Sequence, residues 1–284
     1  MKFSAIKKQT ILFLLAGFAF TLLGGCHDSG NKVSSKELQI YCFSAGKADA
    51  ILLMTKEGTV LIDTGEKGFG KEIVAYLERS GIRRIDYLII THFDKDHVGG
   101  AAKVLRSVSV GTVLQSNSPK NSDEYDQYIS ALEEASIEPV TVREVYSFTL
   151  GQMTCAVDPP RQEQYESHSS NNSSLIISVT YGHNRFLFAG DAQNERLNEF
   201  LSGKIEPYDF LKVPYHGHWQ EELESLIQAV KPHYAVITSS DEKPEDEETL
   251  ALLSQAGTQS FLTRTAAVWI ICDGETMFVQ YADQ

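Results

Sequence analysis

The chain has 284 residues, a formal net charge of −13, and 42% hydrophobic residues. That apolar content argues against a disordered or fibrous chain and suffices for a large globular core. The acidic balance repels long polyanions at low ionic strength, which argues against a high-affinity nucleic-acid binder but permits a short, metal-dependent contact with a phosphodiester.

Lys2, Lys7 and Lys8 precede the apolar run Ile11 to Leu23, which closes on Gly24-Gly25-Cys26. Charge, apolar run and small residues in that order predict a signal peptide over 1–25. The run is well short of the roughly 20 residues that a bilayer-spanning helix needs. The small residues before Cys26 resemble a bacterial lipobox, which implies a lipid on Cys26 and a mature protein attached to the cell membrane on its extracytoplasmic side. The alternative is an ordinary secretory signal with an unmodified cysteine. Cleavage removes three lysines and no acid, so the remainder is more acidic still. Residues 26–37 are polar and read as a flexible tether, with the folded domain over 38–284. Cys42, Cys155 and Cys272 lie in apolar segments and read as buried thiols, with one pair and a spare as the alternative.

Apolar runs at Leu38 to Phe43, Ala50 to Met54 and Thr59 to Ile62 read as strands, the last two joined by the turn Lys56-Glu57-Gly58. Ile73, Val74 and Leu77 give a helical period over Gly70 to Arg79, stopped by Gly81. Asp86 to Ile90 reads as the next strand, followed by Thr91-His92-Phe93-Asp94-Lys95-Asp96-His97-Val98-Gly99-Gly100 and a helix over Ala101 to Arg106. Farther along, Val113-Leu114, Pro139 to Val142 and Met153 to Val157 are strand-like, with an amphipathic helix over Ser122 to Ala135. Arg161 to Ser173 is a long polar loop, and a loop of that length in a compact domain is more often functional than idle.

The second half repeats strand, polar terminus, helix. Strands at Leu175 to Thr180, Arg185 to Ala189, Phe210 to Val213 and Ala235 to Thr238 are accompanied by helices over Gln193 to Leu201, Glu221 to Val230 and Glu245 to Gln255. Val268 to Cys272 and Thr276 to Gln280 form a hairpin around Asp273-Gly274. Two sheets face to face with helices outside each satisfy every apolar face. The predicted architecture is therefore α/β, a four-layer αββα sandwich.

His92, Asp94, Asp96 and His97 are residue types that hold divalent ions, on a short loop at a strand end. Asp191 and His216 stand at two later strand ends. This pattern resembles the metallo-β-lactamase superfamily, with Asp94 where the usual loop has a second histidine. Within it, Gly46-Lys47-Ala48-Asp49-Ala50, Leu61-Ile62-Asp63-Thr64-Gly65, the His92 to His97 loop, Asn171-Asn172-Ser173-Ser174-Leu175, Phe188-Ala189-Gly190-Asp191-Ala192, Leu211-Lys212-Val213-Pro214-Tyr215-His216-Gly217 and Lys231-Pro232-His233-Tyr234-Ala235-Val236-Ile237 are similar, in order, to the hydrolase domain of ComEC-type DNA-uptake proteins.

The resemblance implies two divalent ions, zinc or manganese. His92 and Asp94 would hold one, Asp96, His97 and His216 the other, and Asp191 would bridge them. Asn171 is the counterpart of a further ligand, with His168 as its rival. Asp63 would accept a hydrogen bond from a ligand histidine. Asp96, Asp191 and His218 are assigned to the chemistry, His218 as the proton donor to the leaving group or as an exposed loop residue. The implied activity is a phosphodiesterase or nuclease acting on a phosphoester or nucleic-acid-like substrate. The alternatives are a hydrolase of another ester, amide or lactam, or a surface binding protein that keeps the fold without turnover. The chain departs from the ComEC-like pattern where Gly-Gln-Gly-Asp becomes Gly46-Lys47-Ala48-Asp49 and Pro-His-His-Gly-Ser becomes Pro214-Tyr215-His216-Gly217-His218. At Thr263-Arg264-Thr265-Ala266-Ala267 it also lacks an expected acid and glycine. Lys47 reads either as a solvated side chain or as a phosphate contact.

Overall fold

The computed structural model describes residues 37–282. The predicted signal peptide, Cys26 and all of the tether but Glu37 lie outside the described residues. Two sheets carry the molecule. The first contains β1 (Leu38–Cys42), β2 (Ile51–Met54), β3 (Thr59–Ile62), β4 (Arg84–Ile90), β5 (Ser109–Gln115), β6 (Val140–Thr141), β14 (Val268–Cys272) and β15 (Met277–Tyr281), in the order β15-β14-β1-β2-β3-β4-β5-β6. The second contains β7 (Tyr146–Leu150), β8 (Met153–Asp158), β9 (Ile176–Tyr181), β10 (Asn184–Phe188), β11 (Phe210–Lys212), β12 (Tyr234–Ile237) and β13 (Gln259–Leu262), in the order β13-β12-β11-β10-β9-β8-β7.

Helices α1 (Gly70–Arg79), α3 (Ala101–Ser107) and α4 (Asp123–Ala135) cover the outer face of the first sheet, and α6 (Asn194–Leu201), α7 (Leu223–Val230) and α8 (Glu247–Gln255) that of the second. Two single-turn helices, α2 (Lys95–Val98) and α5 (Ser169–Asn172), sit in the loops. This is the four-layer αββα sandwich that the sequence predicts.

Three apolar layers follow from strand alternation, because successive side chains point to opposite faces. Ile40, Leu53, Val60, Ile89, Val179, Phe186 and Phe210 meet between the sheets. Leu52, Leu61, Leu88 and Ile90 pack under Ile73, Leu77, Leu105 and Leu132, and Leu187, Leu211 and Ala235 pack under Leu197, Leu226 and Leu253. The three cysteines of the described residues are buried and free, so the thiol reading holds there.

The connections decide where chemistry can occur. Strands β3 to β6 run parallel to one another, as do β10 to β13, while the remaining pairs are antiparallel. In parallel sheets the carboxyl ends of the strands share one edge, and the loops that leave it form a crevice. Asp63 follows β3, His92 follows β4, Asp191 follows β10, His216 follows β11 and Thr238 follows β12.

Local sequence fixes the approach of these loops. Helix α1 ends as its composition predicts: Gly81 has φ 70°, and Ile82 N donates to Leu77 O at 2.8 Å, a Schellman closure. Gly100 N donates to Gly65 O at 3.2 Å, so the loop after β3 lies directly on the start of α3. A Cβ at Gly100 would stand 2.2 Å from Thr64 O and 2.8 Å from Gly70 N, both of them backbone atoms. Gly100→Ala should therefore cost about 3 kcal/mol, the upper part of the range for overpacking. Urea unfolding that gives a loss below about 0.5 kcal/mol would show that the two loops part without strain.

Candidate metal centre

The backbone turns that aim the site come first. Asp94 is extended (φ −69°, ψ 148°), and its carbonyl accepts from His97 N at 2.9 Å and Val98 N at 3.0 Å. The single turn of α2 thereby swings His97 back under His92, with their rings 4.1 Å apart. Thr64 N and Thr64 Oγ1 both donate to His97 O, each at 2.8 Å. On the second sheet, Tyr215, His216 and Gly217 have φ values of 51°, 53° and 77°. Left-handed backbone at a non-glycine residue costs roughly 1–2 kcal/mol, and such strain collects at functional sites. This kink after Pro214 turns the His216 ring into the crevice, where it is 1% exposed.

Asp63 also has a left-handed backbone, at φ 56°. Its carboxylate accepts from Thr91 N at 2.8 Å, Thr91 Oγ1 at 2.7 Å and His97 Nδ1 at 2.8 Å. These bonds determine tautomers. His97 donates through Nδ1. Thr91 Oγ1 has given its one proton to Asp63, so at 3.1 Å it can only accept from His92 Nδ1. His216 Nδ1 lies 3.0 Å from the carbonyl of Thr238, which can only accept. In each neutral imidazole the proton is on Nδ1 and the lone pair is on Nε2, the arrangement that metal-binding histidines use.

His92 Nε2, His97 Nε2, His216 Nε2 and Asp191 Oδ1 are all buried and have no hydrogen-bond partner. Asp191 lies between two of the rings, with Oδ1 3.3 Å from His97 Nε2 and Oδ2 3.1 Å from His216 Nε2, but neither contact has hydrogen-bond geometry. Unpartnered buried polar atoms are costly, and four of them converging on one space fit a cation. His92, His97 and Asp191 form one group able to hold an ion, and Asp96, His97 and His216 form an adjacent one. A third acidic group, Asp49, Asp63 and His97, lies behind them. The Lys212 ammonium meets this third group, pairing with Asp49 and donating to Gly190 O at 3.1 Å.

The carboxylates make this space strongly negative. Burial and the neighbouring His97 push His92 down to about 4. Burial also disfavours charge on His97, but the Asp191 and Asp63 carboxylates outweigh it and hold this imidazole well above its ordinary range. Asp191 is held well below the usual carboxylate range, since His216 and His97 overcome its burial. Burial lowers Lys212, and Asp49 and Asp191 more than reverse that.

Asp96 is at the rim of the second group, with Oδ2 3.6 Å from His216 Nε2 and 3.3 Å from Lys47 Nζ. The Asp94 carboxylate is outside both groups and accepts from Lys120 Nζ at 2.5 Å and from Ser170 Oγ. Asn171 is half-buried, and His168 is exposed with φ 44°. The neighbouring Asn172 is the fully engaged amide: its Oδ1 accepts from Gln193 N and Arg196 N at the start of α6. His218 is partly exposed, with Nδ1 3.6 Å from Asp246 Oδ1 and its ring 5.1 Å from that of Tyr215.

Three participants went unassigned in the sequence. Asp49 stands in the Gly46 to Ala50 motif. Lys212 is a charge inside the apolar strand Phe210 to Val213, which is itself a signal of a buried partner. Thr238 joins the two, because its Oγ1 donates to Asp49 Oδ1 at 2.6 Å while lying 3.0 Å from His216 Nδ1.

A two-sheet sandwich with clustered histidines and carboxylates at the shared strand ends defines the class of metal-dependent hydrolases. Residues 44–239 match the model of the metallo-beta-lactamase superfamily, and the chain belongs to that family. It is similar to Recombination protein 2 of Haemophilus influenzae, 26% identical over 246 residues, covering 84% of this chain and 29% of that protein. ComE operon protein 3 of Bacillus subtilis is 26% identical over 226 residues, 72% of this chain and 29% of that protein. Competence protein ComA of Neisseria gonorrhoeae is 25% identical over 211 residues, 73% and 28%. The chain thus spans less than a third of these relatives and is distantly related to them.

Among solved structures, the metallo-beta-lactamase fold protein YhfI from Bacillus subtilis superposes with a TM-score of 0.55 at 10% identity, over 86% of this chain and 100% of that one. CmlA, a diiron beta-hydroxylase from Streptomyces venezuelae, gives 0.51 at 15% identity, over 88% and 55%. Both likenesses concern the fold alone.

Asp63→Ala removes the acceptor that orients His97 and Thr91. Losing an outer contact of this kind typically costs 10–100-fold in metal affinity, and we expect a loss in that range in a zinc titration against a chromogenic chelator. Unchanged affinity would show that His97 is oriented without Asp63.

Proposed function

We propose that this protein is an extracytoplasmic hydrolase of phosphoric esters, phosphodiesters foremost, attached to the cell membrane by a lipid on Cys26 and working with two divalent ions. The observation that carries the reading is the convergence of His92 Nε2, His97 Nε2, His216 Nε2 and Asp191 Oδ1, buried and unpartnered, on one space. The similarity to competence proteins favours a phosphodiester over other esters, and the formal charge of −13 favours short or passing strands over long duplexes.

In this reading Asp191, which groups with His92 and His97 and places Oδ2 3.1 Å from His216 Nε2, would be shared by the two ions. His92 and Asp94 would hold one ion. His97, His216 and Asp96 belong to the other. Asn171, on the loop before β9, is the candidate amide ligand. Ligation by three carboxylates and three histidines makes manganese a rival to zinc. The ions supply Lewis acidity toward the substrate's oxygens and a nucleophile at neutral pH.

The chain's own groups do the rest. Asp63, Thr91 and Thr238 hold the three imidazoles in one tautomer, and the inter-sheet core keeps bulk water away from their inner side. His218, within ion-pair range of Asp246 at the rim, is the group that delivers a proton to the leaving oxygen.

The test is a metal-resolved screen of the full chain against bis(p-nitrophenyl) phosphate. Manganese or zinc should give turnover, and Asp191→Ala should lower it by more than about a hundredfold, beyond the loss of an outer contact. No turnover with either metal, or turnover that survives Asp191→Ala, would overturn the proposal.

A further inference from the structure

We infer that Lys47 and Lys120 form an anion clamp across the mouth of the metal centre, taking the phosphoryl oxygens of the substrate. This rests on the phosphoesterase reading above and names what its substrate must present: a negatively charged phosphoryl group rather than a neutral carbonyl.

Lys47 is on the loop between β1 and β2, which is bonded to the ligand loop itself: Asp49 N donates to Asp96 O at 3.1 Å, and Gly65 N donates to Asp49 O at 2.7 Å. From there its ammonium lies 3.3 Å from Asp96 Oδ2 and 5.7 Å from the centre of the Tyr215 ring. Asp96 Oδ2 is in turn 3.6 Å from His216 Nε2, so a single carboxylate separates Lys47 from one of the unpartnered nitrogens. Lys120 is 2.5 Å from Oδ1 of Asp94, two residues along the ligand loop from His92. Its loop, after β5, is tied across the crevice by Ser116 Oγ donating to Ser173 O at 2.6 Å. The two side chains are 17% and 39% exposed, reachable by a ligand yet held in place.

Neutralising Asp94 and Asp96 is the simpler role for these lysines, and their placement exceeds it. Each lysine is delivered by a loop fastened to another loop of the site, whereas a counter-ion needs no such placement. An ammonium donates charge-assisted hydrogen bonds to phosphate oxygens. It offers far less to a neutral ester or lactam, so the pair selects by substrate charge.

The test compares the full chain with Lys47→Gln, Lys120→Gln and the double variant, using Lys47→Arg and Lys120→Arg as charge-keeping controls. Calorimetric titration with inorganic phosphate, and the ratio of kcat/KM for bis(p-nitrophenyl) phosphate to that for p-nitrophenyl acetate, are read beside metal content by mass spectrometry. Each Gln variant should bind phosphate about tenfold more weakly and lower the ratio by a similar factor through KM, as expected for one charge-assisted bond. The Arg variants should restore both, with metal content constant throughout. Unchanged phosphate affinity, or a loss that is equal for both esters and follows a fall in metal content, would overturn the clamp and assign the lysines to holding Asp94 and Asp96. If the unaltered protein hydrolyses neither ester, it is the phosphoesterase reading that fails, and the phosphate titration still decides for or against the lysines.

Discussion

Asp49, Asp63, Asp96 and Asp191 crowd one largely dry crevice with three histidines, and such a gathering stands only if positive charge is built into it. At 4 Å, two like charges repel by about 4 kcal/mol even at an effective dielectric near 20. Lys212, fully buried, supplies a fixed cation. It continues the inward face of β11 from Phe210, so strand alternation carries its ammonium into the inter-sheet space, where it meets Asp49 from the first sheet and lies 3.8 Å from Asp191 Oδ1. The pair clamps the two sheets at the edge where their chemistry is presented. Removing one partner of a buried pair typically costs about 3–5 kcal/mol, because the other charge stays behind. The remaining negative charge is left for ions to satisfy.

Backbone strain is also built into this edge. Asp63, Tyr215 and His216 adopt left-handed backbone, each at a point where the chain leaves a strand and must turn a side chain inward. Aspartate tolerates that conformation better than most residues, because its short polar side chain bonds locally. Asp63 meets this need through Thr91 N and Thr91 Oγ1. Tyr215 and His216 are held from outside their own turn. They depend on Pro214 before them, Gly217 after them, and the bond from His216 Nδ1 to Thr238 O. The site is thus held by bonds between loops of different strands, and a change in one loop propagates to the imidazoles of another.

Much of this was legible in the sequence, for physical reasons that differ by residue. The run Thr59 to Ile62 and the period of Gly70 to Arg79 showed their elements outright, because buried strands and amphipathic helices write their burial into composition. Strands β7 and β13 went unread: both are sheet edges, and Gln259, Ser260, Ser147 and Thr149 carry little apolar signal there. The turn of α2 is too short to display a period. At the site, His92, Asp96, His97, Asp191 and His216 stood in recognisable motifs, and the structure brings them together. The roles of Asp49, Lys212 and Thr238 depend on contacts between residues as far apart as 189 positions, which no local pattern encodes. Asp94 shows the converse: its motif was plain, yet its carboxylate lies with Lys120 and Ser170.

If the two sheets converge on one binuclear metal centre, anomalous diffraction from crystals of the protein grown with manganese or zinc should show two peaks, one beside His92 Nε2 and one beside His216 Nε2, with Asp191 between them and Lys212 still paired to Asp49. A single peak elsewhere, or ions seated between Asp49 and Asp63 in place of the lysine, would contradict it.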